Sequence, residues 1–331
     1  TMAKPHVCYP SLFEIDLSDR RYVVTGANSG IGLITARQLA SQGAAVTLAC
    51  RRVSEAEARI AELKAELPDA ALEARALDLG SIASVDAFAD GFLADHDRLD
   101  GLINNAGVMN TPEGKTVDGF ETQLGVNHVG HFALTERLLG VLKDSAPSRI
   151  VNVSSCFHDK AMGREGDIHL DDLHFERRRY DGWEAYAQSK LANLLHAKGL
   201  AKRLDGTGVT AVSVHPGWVR TNLARNSMPL WVQNYVLRPV LRLSGMIEPW
   251  EGAQSTLFAT LDPSVPEHAG AYYSQLGVYR DKSANRGGWP MTSPNPRAND
   301  DALVDQLWEA TARMVADARS PRSAKGATAV A

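Results

Sequence analysis

An α/β protein in three layers, with helices packed on both faces of a doubly wound parallel sheet, is the fold class this sequence predicts. Three observations lead there. Short apolar runs rich in β-branched residues recur along the chain, and long amphipathic stretches separate them. A strand, helix, strand repeat of this kind is the signature of a parallel sheet covered on both faces. Right-handed crossovers then leave few other topologies. The 331 residues suit either two domains or one embellished α/β domain, at roughly 150 residues per domain, and no internal repeat divides them.

Each strand rests on a compact apolar run: RYVVT from Arg21 to Thr25, AVTLAC from Ala45 to Cys50, the stretch from Leu72 to Leu77, Gly101 to Ile103, RIVNVS from Arg149 to Ser154, and VTAVSV from Val209 to Val214. Each helix rests on a longer periodic stretch between two such runs, near 31–42, 54–66, 81–95, 117–143 and 183–204. Residues 1–20 form an N-terminal extension, 21–280 the α/β domain, and 281–331 a C-terminal loop, helix and flexible tail. The stretch 281–300 is rich in Pro, Asn, Gly and Ser and is read as an irregular loop. The small and polar residues from Ser320 onward are expected to fray.

Composition excludes several functions. With 35 Lys+Arg against 39 Asp+Glu the net charge is −4, and both signs are scattered, whereas a nucleic-acid or anionic-membrane binder clusters a basic excess. Hydrophobic residues at 44% and charged residues at 22% are those of a globular chain. Cys8, Cys50 and Cys156 are odd in number and fit no metal-ligand spacing, so no metal site or disulfide framework is expected and a reducing compartment is. No apolar run reaches the ~18 residues of a spanning helix, and the N-terminus lacks a charged start followed by an apolar core. The expectation is a cytoplasmic protein without a membrane anchor.

In a sheet of this kind ligands bind outside the C-terminal strand ends, so chemistry is sought after each apolar run. The first run leads into Thr25-Gly26-Ala27-Asn28-Ser29-Gly30-Ile31-Gly32 and then a helix. Glycines permit a tight turn and close approach of a pyrophosphate to the free N–H groups of that helix; an ordinary glycine turn is the plainer alternative. After the second run come Cys50, Arg51 and Arg52 where a carboxylate would bind ribose hydroxyls. Guanidinium groups pair with a 2′-phosphate, which favours NADP(H) over NAD. After the third, Asp78-Leu79 offers a carboxylate near adenine, or simply an acid ahead of a helix N-cap at Ser81. Asn104-Asn105-Ala106-Gly107 follows the fourth and either lines the cofactor or makes a turn.

Asn127 sits inside a helical pattern that does not favour it, as a water-binding residue at a kink or as a surface Asn. The fifth run ends in Ser154-Ser155, and Tyr186-Ala187-Gln188-Ser189-Lys190 follows about thirty residues later. On a helix, i and i+4 share a face, so phenol and ammonium reach one ligand, and a nearby cation lowers a phenol's pKa. A phenol so tuned exchanges a proton with an alcohol or carbonyl oxygen; a surface pair is the alternative. After the sixth run, His215-Pro216-Gly217-Trp218-Val219-Arg220-Thr221 shapes a wall beside a nicotinamide, with Thr221 placed to bond its carboxamide, or is a structural turn.

Taken jointly, TGANSGIG, NNAG, SS followed by YxxxK, and HPGWVRT resemble the short-chain dehydrogenase/reductase family from Arg21 to roughly Gly277. The resemblance implies a Rossmann fold and an oxidoreductase. In it Ser155 polarises the carbonyl, Tyr186 is the acid/base, Lys190 anchors the ribose and tunes the phenol, and Asn127 belongs to the proton relay. Ser154, by strand alternation, faces away. ACRR, VNHVGHF, VNVSS and YAQSKLAN look like the branch of retinol dehydrogenases and WW-domain oxidoreductase, and protochlorophyllide reductase is similar there, although Ala192 stands where that enzyme has a cysteine.

On the substrate side, the segment 222–250 carries Trp231, Leu237 and other apolar residues just after the nicotinamide turn. It is expected to be a helical lid over a bulky apolar alcohol, ketone or aldehyde, with helix packing or a subunit interface as the other use. A homodimer through the helices 117–143 and 183–204 is what the resemblance implies. Alternatives are the same fold acting with NAD or on a polyketide- or sugar-like substrate, and a non-catalytic dinucleotide-binding redox sensor. Ser155, Tyr186 and Lys190 together speak against the sensor, because binding alone requires no phenol.

Overall fold

Apolar strands buried from both sides place β1 (Arg21–Thr25) between β2 (Ala45–Cys50) and β4 (Gly101–Asn104). The remaining strands are β3 (Leu72–Ala76), β5 (Ser148–Val153), the short hairpin β6 (Lys160–Ala161) and β7 (Arg164–Glu165), β8 (Val209–His215), β9 (Tyr272–Ser274) and β10 (Gly288–Met291). The computed structural model describes residues 4–219 and 246–320. Its eight-stranded sheet runs β10-β9-β8-β5-β4-β1-β2-β3, parallel except for the β9–β10 pair. The order reverses between β1 and β4, which opens the crevice where ligands bind in such sheets.

Alternation along each strand feeds two cores. Val23, Leu102 and Ile150 point to one face, where α3 (Ile82–Asp95), α4 (Gly130–Asp144), α5 (Gly182–Arg203) and α7 (Asp301–Arg319) pack. Val24, Ile103 and Val151 point to the other, against α1 (Gly30–Ser41), α2 (Val53–Glu66) and α6 (Pro249–Leu261). The N-terminal residues join this second core through Cys8, Leu12 and Leu17, with the Cys8 N–H donating to Gln254 Oε1 at 2.9 Å.

Two expectations change. The helix read over 117–143 begins only at Thr122, because Glu121 caps it by accepting from the N–H groups of Gln123 and Leu124. Residues 115–121 instead close a small bridge, Lys115 against Glu121. A single α-turn (Thr122–Leu124) and a π-helical turn (Gly125–Val129) then precede α4. The stretch 281–300 is not wholly irregular: it contains β10, an edge strand whose Pro290 has no ladder N–H to lose.

The helix α6 and the strand β9 were not legible as periodic patterns and lie beyond the last expected strand. The expected lid lies outside the described residues from 222 to 245. Its last residues, Pro249 and Trp250, open α6, which packs on α1. The tail beyond Ser320 is likewise outside them.

The helix α7 lies across α4 and α5. Leu303, Val304, Leu307 and Val315 are buried, the Trp308 ring stands 4.8 Å from Phe132, and the Arg203 guanidinium lies 4.1 Å over Trp308. Gly199 makes room, since a Cβ there would sit 2.8 Å from the indole. The faces of α4 and α5 beneath α7 are therefore not free for a second subunit.

Candidate active site

The cofactor side grows from the loop between β1 and α1. Gly26 and Gly30 have φ of +66° and +57°, a region a side chain occupies only at a cost of roughly 1–2 kcal/mol. A Cβ on Gly32 would stand 2.5 Å from Asn105 Nδ2, so the loops after β1 and β4 meet with no space for one. The Thr25 hydroxyl accepts from the N–H groups of Asn105 and Ala106, both at 2.9 Å, and Asn105 Nδ2 donates to Thr25 O at 2.7 Å. Ser29 stands at the N-cap of α1 without making a side-chain cap bond. The first-turn N–H groups of Gly30, Ile31 and Gly32 are thus left for an anion.

The two arginines after β2 differ. Arg52 pairs with Glu55 at 2.7 Å, and Asn28 Nδ2 donates to the same carboxylate at 2.9 Å. Arg51 is exposed and makes no ion pair among the described residues. Asp78 closes a turn by accepting the Gly80 N–H at 2.9 Å, and buried Leu79 packs its carbonyl where a Cβ on Gly130 would be. On the far side Pro216 is buried, Gly217 has φ +89°, and Val219 pairs with Ile247. Thr221 lies outside the described residues.

The catalytic side is built of buried side chains. Ser154 uses its hydroxyl to donate to Lys190 O at 2.7 Å, whereas the Ser155 hydroxyl caps the short 3-10 turn Cys156–His158 by accepting the Phe157 N–H at 3.2 Å. Asp181 caps α5 by accepting from Trp183 and Glu184 N–H groups, which sets Tyr186 and Lys190 one turn apart on its buried face. Lys190 Nζ donates to Val153 O at 3.0 Å, shares that carbonyl with Asn193 Nδ2, and lies 5.7 Å from the Tyr186 ring centroid. Burial lowers Lys190 to about 8 and pushes the Tyr186 phenol well above its ordinary value, with Ser155 opposing the rise. In the protein alone, burial sets the phenol's direction, opposite to the lowering expected from the ammonium.

Asn127 occupies the π-turn, but both its amide hydrogens are committed, to Val108 O and to Ser189 Oγ, each at 2.9 Å. Its Oδ1 accepts the Val108 N–H at 2.8 Å. It clamps the loop after β4 to α5. Gly107 leaves that corner open: a Cβ there would lie 3.1 Å from Asn127 Oδ1 and 3.5 Å from Lys190 Nζ.

Two histidines were missed as part of the site. His131 Nδ1 donates to Asn127 O at 2.9 Å and its Nε2 accepts from the Thr25 hydroxyl at 2.8 Å, so one buried imidazole ties π-turn, β1 and β4 together. The spacing Asn127 to His131 within VNHVGHF was its only signal. His158 reaches Ser155 from the turn beyond β5. Beside the phenol, the half-buried Phe157 ring stands 5.7 Å from Trp183 and 6.2 Å from Tyr186.

The short chain dehydrogenase family model matches residues 20–164. Retinol dehydrogenase 12 of Bos taurus is 42% identical over 302 residues, covering 91% of this chain and 88% of the relative. Retinol dehydrogenase 13 of Homo sapiens is 40% identical over 295 residues, covering 88% and 83%. Among solved structures, an uncharacterized protein from Mycobacterium Paratuberculosis superposes with a TM-score of 0.71 at 35% identity, covering 92% of this chain and 97% of its own. The Pseudomonas aeruginosa RhlG/NADP active-site complex does so with 0.62 at 25% identity, covering 81% and 97%.

Proposed function

The chain belongs to the short chain dehydrogenase family, in its retinol dehydrogenase-like branch, and on that premise we propose that this dinucleotide-dependent oxidoreductase uses NADP(H) to interconvert a bulky apolar alcohol with its ketone or aldehyde. One observation carries the reading: Ser155, Tyr186 and Lys190 are buried together, with the Lys190 ammonium 5.7 Å from the Tyr186 ring centroid and Ser155 close enough to oppose the rise of the phenol's pKa. No binding role needs that trio.

The residues fit a dinucleotide, since Gly26 and Gly32 let the loops after β1 and β4 pack without β-carbons, Gly107 leaves the corner beside Lys190 open, and the first-turn N–H groups of α1 have no side-chain cap and suit an anion. When bound, the nicotinamide supplies or accepts the hydride. Ser155 donates its hydroxyl to the substrate oxygen, and Tyr186 gives that oxygen a proton in reduction or takes one in oxidation. The raised phenol keeps its proton at neutral pH, ready to donate. Lys190, anchored on Val153 O, holds the ribose hydroxyls beside it.

Arg51 supports the choice of NADP(H): it pairs with no carboxylate among the described residues, and Arg52 is the member already paired. The similar RhlG structure is an NADP complex. Phe157 and Trp183 support an apolar substrate, because anything reaching Tyr186 from their side meets two aromatic rings. Three cysteines, all free and buried, support a cytoplasmic setting.

The test is turnover of a panel of apolar aldehydes, ketones and alcohols with each nicotinamide cofactor. NADPH-dependent reduction that collapses in Tyr186→Phe is expected. Dinucleotide binding with no turnover of any panel member would instead favour a redox sensor.

A further inference from the structure

We propose that His158 is a positioning residue for Ser155, held in register by Ser293 and Asn295 of the C-terminal segment. The inference rests on the reading of Ser155 given above. His158 is completely buried at the end of the turn that Ser155 caps. Its Nδ1 lies 2.6 Å from Ser155 O, and its Nε2 lies 2.6 Å from Ser293 Oγ.

A carbonyl only accepts, so Nδ1 carries the hydrogen and Nε2 is the acceptor of the Ser293 O–H. Ser293 Oγ in turn accepts the Asn295 N–H at 3.2 Å, and Asn295 Nδ2 donates to His158 O at 2.7 Å and to Gly166 O at 2.8 Å. Every polar atom of the imidazole is satisfied in one tautomer and no other. The ring plane is held from the side as well, at 81° to Tyr272 at 5.0 Å and at 64° to Tyr279 at 6.2 Å.

The consequence falls on Ser155. Its carbonyl receives the imidazole N–H and also the His158 backbone N–H at 3.0 Å, so its peptide plane has two donors fixing its orientation. The Ser155 hydroxyl, whose influence reaches the Tyr186 phenol, hangs from that fixed residue. A polar group placed for a transition state loses much of its effect when displaced by about 1 Å. The segment beyond β9, some 135 residues later in sequence, thereby sets the aim of the catalytic serine without touching substrate.

Three variants test this. His158→Phe keeps the ring against Tyr272 and Tyr279 but removes both nitrogens. His158→Asn returns an N–H close to the Nδ1 position, and Ser293→Ala removes only the distal partner. The expected result is a fall in kcat of roughly 10-fold to 100-fold in His158→Phe, with the KM and Kd for NADPH unchanged. Most of the loss should return in His158→Asn, and Ser293→Ala should lose a few-fold.

Combined with Ser155→Ala, His158→Phe should cost nothing further, because the residue it aims is gone. An undiminished kcat in His158→Phe and Ser293→Ala, or the same proportional loss in the Ser155→Ala background, overturns the proposal. If His158→Phe does not fold, the Ser293→Ala pair of measurements decides alone. Failure of the underlying reading looks different: the unaltered protein, or Ser155→Ala, would then show no dependence of turnover on Ser155 at all.

Discussion

The two walls of the crevice are made of different material. The cofactor wall is mostly backbone: glycines at 26, 30 and 107, helix N–H groups after Ser29, and Thr25 bonding the backbone of Asn105 and Ala106. The proposed catalytic wall is mostly buried side chains, from Asn127, Ser155, His158, Tyr186, Lys190 and, far along the chain, Ser293. A backbone wall fails when a β-carbon is added and is indifferent to protonation. A wall of buried polar side chains depends on each partner and on each proton, since an unpaired or charged group there costs several kcal/mol.

The largest effect expected from this difference is acid sensitivity. His128, His131, His158, His196 and His215 are buried, and burial holds all five below the usual 6.5, with His131 and His158 at about 4 and His128 and His215 at about 3. A depressed folded-state value means that the unfolded chain takes up protons first as pH falls below 6.5. Their contribution is whole above that pH and declines toward the folded values, each imidazole by up to about 1.36 kcal/mol per pH unit. Melting temperature followed from pH 7 to 4 should fall steeply; a flat profile would show that the wall is not buried as described.

Next in size, Tyr186→Phe should lower kcat by at least ~10²-fold while NADPH binding measured by fluorescence is retained, because the cofactor wall is untouched. Loss of binding together with turnover would erase the distinction between the walls.

Lys190 offers a sharper probe of burial. Its folded value near 8 lies below the unfolded 10.5, so the native state sheds this proton first and stability rises with pH between about 8 and 10. Chemical denaturation of Lys190→Met across that window should give a flatter profile than the unaltered chain. Equal slopes would place the ammonium in contact with solvent.

The smallest effect is expected at the exposed edge of the cofactor wall. Arg51→Ala should weaken NADPH by roughly 10-fold and leave NADH nearly unchanged, and Arg52→Ala should do less because Arg52 is already paired with Glu55. Titration of both cofactors measures this; equal weakening of NADH and NADPH would remove the phosphate from the explanation.

Legibility in the sequence followed the same division. The glycine loop, NNAG and YxxxK are contiguous, and each works through local backbone geometry or helical spacing, so reading along the chain finds them. Ser155 over Ser154 was also readable, because strand alternation separates their directions. His158 was not, since its partners Ser293 and Asn295 sit in a stretch whose Pro and Gly content resembles an ordinary loop. The π-turn at Asn127 was read as a kink at a residue ill suited to a helix, without its hydrogen-bond partners.

What the sequence determined by itself is the order of the first six apolar strands of the sheet and of the helices between them, and with it a doubly wound parallel sheet and the backbone loops at its strand ends. These follow from periodicity and glycine conformation, which are properties of neighbours in the chain. Only the tertiary structure decided which buried polar atoms satisfy one another: His131 with Asn127 and Thr25, His158 with Ser155 and Ser293, and α7 over α4 and α5. The reason is that a buried donor or acceptor must find a partner wherever folding places one, and separation along the chain carries no trace of that choice.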